Sequence, residues 1–159
     1  MPLEKAEQWK AEAPEWMVER IRDVNPPGEL SGCLADEGWA GVYQFFAANN
    51  YVTENLDFLA KVQAFQSNGS MDLAKQIYEQ HGKAGSPQEV NLSSTNRSAL
   101  AEIFDDEDEP IGPPNLYDAA YAEIYSMTNN DSYKRFVGIC GTVQTELAAE
   151  IDWDNVEGR

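Results

Sequence analysis

Apolar residues along this chain recur at intervals of three and four, and no stretch alternates apolar and polar positions long enough to make a strand, which is the pattern of an all-α protein. Pro14 suits the first turn of a short helix running to Asp23, with Trp16, Val18 and Ile21 available to pack. Asn25-Pro-Pro-Gly28 breaks it. A second helix is expected from Leu30 through Phe46, interrupted at Gly38, with Leu34, Val42, Phe45 and Phe46 on its apolar side and Asn49-Asn50 at its end. From Val52 to Gln66 the positions Leu56, Phe58, Leu59, Val62 and Phe65 form a wide stripe, as in a helix covered by more than one neighbour. Ser67-Asn-Gly69 stops that helix, and Ser70 can cap the next, whose face is Leu73, Ile77 and Tyr78 and whose end is His81-Gly82.

A loop then leads to Ser93-Ser94-Thr95, any of which can cap a helix bearing Leu100, Ile103 and Phe104. The run DDEDEPIGPP, residues 105–114, cannot continue a helix and is expected to be a solvated loop. Its acids are consecutive, without the alternate spacing and central glycine of a calcium loop. Asn115-Leu-Tyr-Asp118 reads as a capping box opening a helix through Tyr121, Ile124 and Tyr125 to Thr128. Asn129-Asn130 is expected to interrupt it, and Asp131 to cap a last long helix carrying Phe136, Val137, Cys140, Leu147 and Ile151. The total is about eight or nine helices.

The length of 159 residues, 42% of them hydrophobic, allows a single domain over 1–159 with one core. The formal net charge of −17, from 28 acidic and 11 basic residues, repels nucleic acid and anionic membrane and favours a partner whose contact surface carries Lys and Arg. No apolar run approaches the ~20 residues of a bilayer-spanning helix, and MPLEKAEQWKAEAPEW is too charged for a signal peptide, so a cytoplasmic protein is expected. Cys33 and Cys140 lack zinc-site spacing and read as free thiols. His81, beside glycine at a helix end, reads as structural, since imidazole there meets the last carbonyls. No serine, cysteine or lysine has an evident activating base, and no HExxH or Walker sequence occurs, so a conventional active site is not expected. Asn91 lies in a loop just before a helix, where taken alone it would turn the loop or cap the helix.

Four segments taken together carry more than any one of them: NNYVTENLDFLAKVQAF (49–65), AKQIYEQH (74–81), EVNLSS (89–94) and NLYDAAYAEIYSMTNNDSYKRFV (115–137). In this order and at these spacings they resemble the regulator of G-protein signalling (RGS) domain family. The resemblance covers a core of about 30–137, flanked by helices at 14–23 and 138–151. It implies an all-α fold of about nine helices, with an antiparallel four-helix bundle in the middle and a subdomain built from the terminal helices.

The resemblance also implies a function, which is GTPase activation of heterotrimeric G-protein α subunits, ending their signalling. Such domains bind the three switch segments of Gα near their transition-state conformation, while Gα supplies its own catalytic Arg, Gln and Mg²⁺. The domain would then not be an enzyme and would need no cofactor, GTP and magnesium belonging to Gα. Asn91 matches the family's asparagine that reaches into the switch region beside the partner's glutamine. Its amide donates and accepts without adding charge next to the γ-phosphate. Tyr51, Val52, Glu54 and Asn55 match the first contact loop and helix start, Leu92 and Ser93 are secondary contacts, and Met127, Asp131, Ser132 and Arg135 match a third patch. There Asp131 would accept from switch I while Arg135 holds its carboxylate, although the same pair read locally is a helix-surface ion pair.

Three positions depart from the family pattern. Leu59 stands where a Trp is usual and alters packing, Val52 replaces a small polar residue, and the acidic loop at 105–114 is longer than usual and could tune which Gα is accepted. The expected protein is monomeric, makes no direct membrane contact, and is recruited to the inner face of the plasma membrane. The alternative is an RGS-fold scaffold or binding module that engages Gα or another signalling protein without accelerating hydrolysis.

Overall fold

The computed structural model describes residues 13–49, 53–105 and 110–149, with side chains described through residue 47 in the first segment and residue 145 in the last. Among these stand α1 (Glu15–Asp23), α2 (Leu30–Ala35), α3 (Glu37–Asn49), α4 (Thr53–Asn68), α5 (Met71–Ile77), α6 (Ser94–Phe104), α7 (Asp118–Thr128) and α8 (Lys134–Ala149). Two π-helical segments, Tyr78–Gly82 and Asn129–Tyr133, follow α5 and α7 directly. No strand occurs among the described residues, as the periodicity predicts. The chain divides into two compact units, α4 to α7 in one and α1 to α3 with α8 in the other.

The unit made from the two ends of the chain is built on aromatic packing. Phe136 on α8 is fully buried, with ring centroids 5.1 Å from Tyr43, 5.4 Å from Phe46, 5.8 Å from Tyr133 and 6.2 Å from Trp39. Both tyrosine hydroxyls in this cluster have a partner. The Tyr43 hydroxyl bonds to Ser132 Oγ at 2.8 Å, and that of Tyr133 donates to the Pro27 carbonyl. Gln144 on α8 donates from Nε2 to the Ile21 carbonyl at 2.7 Å and to Asn25 Oδ1 at 3.1 Å, tying down the end of α1. Both cysteines are free and buried, and burial pushes each thiol up to about 12.

The interruption expected at Gly38 falls two residues earlier. Asp36 is extended, its N–H donates to the Cys33 carbonyl, and its carboxylate accepts the Trp39 N–H at 3.1 Å, so one residue closes α2 and caps α3. Gly38 lies inside α3, where a Cβ would meet the Arg20 guanidinium.

In the α4–α7 unit the stripe predicted on α4 is buried in full, and α4 packs against both α5 and α7. Leu59, standing where the resemblance leads one to expect a Trp, is 1% exposed and fills its place in the core. The centre of this unit is Tyr117, whose ring lies 5.7 Å from Phe65, 6.1 Å from Phe58 and 6.3 Å from Phe104, and whose hydroxyl donates to the Ala74 carbonyl at 2.6 Å. That burial explains why Asn115 does not open a capping box. Tyr117 is drawn into the core, the Asp118 N–H closes a turn on the Asn115 carbonyl, and α7 starts at Asp118 without a side-chain cap.

Two further helix boundaries follow their local chemistry. Gly69 ends α4 with φ +64°, and Ser70 caps α5 by accepting the Leu73 N–H at 3.3 Å. Asn129-Asn130 does not interrupt the chain, contrary to expectation. The Asn129 N–H still reaches the carbonyls of Tyr125 and Ser126, and the backbone continues as a π-helical segment into α8. Asp131 therefore lies inside that segment, not at the residue immediately before α8.

Candidate partner-binding site

The loop that carries Asn91 is fixed at both ends by the helices it joins. After the π-helical segment, Gly85 turns the chain with φ +79°, and two backbone bonds then return it to that segment: Gln88 N–H to the Gln80 carbonyl and Val90 N–H to the His81 carbonyl, each 3.0 Å. The His81 ring adds a third tie, bonding through Nδ1 to the Gln88 carbonyl at 2.8 Å. Its other nitrogen lies 3.1 Å from Lys61 Nζ, and the ring meets Phe58 edge-on. The histidine read as a helix-end residue is thus structural, but it binds a carbonyl of the following loop.

At Asn91 the Leu92 N–H donates to the Val90 carbonyl at 2.9 Å, closing a γ-turn with Asn91 at its centre. Val90 is 0% exposed and Leu92 6%, whereas Asn91 is exposed. Two apolar anchors turned inward leave the residue between them turned out. Its neighbour Ser93 is the N-cap of α6, accepting the Asn96 N–H at 3.3 Å, which selects one cap from the three hydroxyl residues the sequence offered.

The same unit supplies Glu54 and Asn55, half-buried in the first turn of α4, and Met127, half-buried near the end of α7. Tyr51 and Val52 lie outside the described residues, as do residues 106–109 of the acidic loop. Of the two secondary contacts expected here, Ser93 is exposed and Leu92 is buried. In the other unit Asp131 and Arg135 are exposed and paired at 3.3 Å one helical turn apart. Ser132 is 3% exposed and committed to Tyr43, so its side chain braces the aromatic cluster instead of presenting a surface.

Sequence reasoning missed the side chains that hold the Asn91 turn. Arg97 on α6 donates to the Gly82 carbonyl at 3.1 Å and the Val90 carbonyl at 3.2 Å, and pairs with Glu89 at 3.5 Å. Glu123 on α7 accepts the Ser93 N–H on both oxygens at 3.0 Å and the Asn96 side-chain amide at 2.8 Å. Burial would raise its carboxyl, but the bonds from Asn96 and Ser93, with Arg97 nearby, outweigh that and hold it below the usual carboxylate range. The one local trace of this arrangement is the Ser93-x-x-Asn96 spacing, which marks a helix start and says nothing of α7.

The middle helices thus present an exposed asparagine on a γ-turn held by hydrogen bonds on both sides. The regulator of G protein signaling domain matches residues 30–138, and the chain belongs to that family. It is 27% identical over 144 residues to Regulator of G-protein signaling 19 of Mus musculus, covering 77% of this chain and 64% of that protein. It is likewise 29% identical over 120 residues to Regulator of G-protein signaling 18 of Homo sapiens, covering 72% of this chain and 44% of that protein. The chain therefore spans less than two thirds of either relative.

Proposed function

We propose that this domain binds the GTP-loaded α subunit of a heterotrimeric G protein and accelerates its GTP hydrolysis, contributing no bond-making group of its own. The observation that carries this reading is the presentation of Asn91, exposed between buried Val90 and Leu92 on a turn held by hydrogen bonds on both sides. Its amide offers a donor and an acceptor and no charge. Placed beside the catalytic glutamine of Gα, it fixes that side chain without repelling the phosphate. Glu54 and Asn55 accept from and donate to the switch backbone, and the exposed Asp131, steadied by Arg135, serves a further switch contact. Ordering these side chains before the partner arrives lowers the entropy lost on docking. Gα brings Arg, Gln and Mg²⁺, so holding its loops near their transition-state arrangement is enough to raise the rate.

The domain acts as a monomer at the inner face of the plasma membrane. Its net charge of −17 requires that another segment or partner bring it there, and favours a contact surface on Gα that carries Lys and Arg. No helix among the described residues is long and apolar enough to cross a membrane.

Single-turnover GTP hydrolysis by a panel of Gα subunits, with and without the domain, tests this. Intrinsic turnover is of order 10⁻² s⁻¹. We expect a rise of about ten-fold or more, worth at least ~1.4 kcal/mol of barrier, largely lost in Asn91→Ala and in Asn91→Asp. Tight binding to the transition-state mimic without acceleration would make the domain a scaffold, and no binding to any Gα would refute the reading outright.

A further inference from the structure

A Ser at the N-cap needs an acceptor at the third helical residue to complete a capping box, usually a Glu or Gln that takes the N-cap N–H. Here that position is Asn96, and it does not serve. Its side-chain amide donates to Glu123 at 2.8 Å, and Glu123, reaching over from α7, itself takes the Ser93 N–H on both oxygens. The box is completed by a residue thirty positions away. The end of the Asn91 turn is thereby fixed to α7 as well as to its own helix.

The start of the turn is held by a different group. The Val90 carbonyl accepts from the Leu92 N–H, closing the turn, and from Arg97 Nη2 at 3.2 Å. Nη1 of the same guanidinium reaches the Gly82 carbonyl at 3.1 Å, so one planar fork bridges the end of the π-helical segment and the first residue of the turn. Glu89 faces it at 3.5 Å, and its carboxylate also accepts the Gly85 N–H at 2.7 Å.

We propose that Glu123 and Arg97 are positioning residues for Asn91: they anchor the two ends of the γ-turn on which its side chain stands and so set the direction of its amide. This rests on the functional reading above and extends it from the residue in contact to those that aim it. Neither side chain touches the partner in this scheme. A guanidinium and a carboxylate on adjacent helices grip the turn at the Val90 carbonyl and the Ser93 N–H, leaving Asn91 a rigid cantilever between them.

The test is a double-mutant cycle. Glu123→Gln keeps the shape and loses the charge, while Arg97→Lys keeps the charge and loses the fork. Each is combined with Asn91→Ala, and hydrolysis by Gα is followed in single turnover with the domain saturating and shown folded by circular dichroism. Each single variant should lower the acceleration by about ten-fold, the scale on which small misplacements act. In the Asn91→Ala background the same substitutions should cost nothing further, because what they position is gone. Backbone amide exchange of Leu92 and Ser93 in the free variants should rise together with the loss. Losses that add to that of Asn91→Ala, or unchanged exchange at both amides, would overturn the proposal. Failure of the unmodified domain to accelerate any Gα would instead refute the functional reading, and the exchange data would still decide whether the two side chains hold the turn.

Discussion

His81, the chain's one histidine, is buried with both ring nitrogens engaged, and that fixes its charge. With Nδ1–H donated to the Gln88 carbonyl, Nε2 is left as the acceptor for the Lys61 ammonium, an arrangement open only to neutral imidazole. Burial holds the ring below its ordinary value and Lys61 adds to this, against the opposing effects of the Gln88 bond, Asp57 and Glu54. The unfolded chain then takes up a proton near pH ~6.5 that the folded chain refuses, so stability falls as the pH is lowered through that value. Urea midpoints between pH 7.5 and 5.5 should show this slope, and His81→Gln should flatten it. An undiminished slope in the variant would remove His81 from the account. At Tyr43 the effect is one of partners alone. Tyr43→Phe leaves the buried Ser132 hydroxyl without its bond and should cost about 1–2 kcal/mol in urea unfolding.

Among the elements, α8 and α4 depend on buried aromatic and aliphatic faces, whereas the helix ends depend on single residues. Phe136→Ala should remove about 3–5 kcal/mol, because the four aromatic neighbours around it cannot close the space left behind. Gly69→Ala forces an L side chain into a left-handed turn and should cost about 1 kcal/mol, read as a lower melting temperature with α4 otherwise intact. The contrast explains what the sequence disclosed. The stripe on α4, the Ser70 cap and the Gly69 stop are local, and each was legible from spacing or from one residue's chemistry. The break at Asp36 is local too, an aspartate capping the helix that follows it, and its Asp-x-x-Trp spacing was passed over in favour of Gly38. The late start of α7 and the uninterrupted Asn129-Asn130 were not legible, because the first is decided by the burial of Tyr117 and the second by π-helical bonding. The site divides in the same way: Asn91 was visible in its motif, but Arg97 and Glu123 reach carbonyl and N–H groups whose proximity exists only once α6 and α7 are packed.

For the whole molecule the dominant quantity is the net charge of −17, more than a tenth of a charge per residue and of one sign. Such a chain repels itself when compact, and salt relieves this by shortening the reach of each charge from about 30 Å at 0.01 M to about 8 Å at 0.15 M. The urea midpoint should therefore rise over that range of ionic strength. A flat or falling midpoint would mean that local ion pairs such as Arg97–Glu89 outweigh the general repulsion.

The burial of both sulfur atoms also has a practical side. With each thiol raised to about 12, neither Cys33 nor Cys140 is a thiolate at neutral pH, and maleimides will pass them by in the folded domain. One new cysteine at exposed Pro87, four residues before Asn91, would then accept a dye alone, and its fluorescence would report whether a Gα subunit settles over that face.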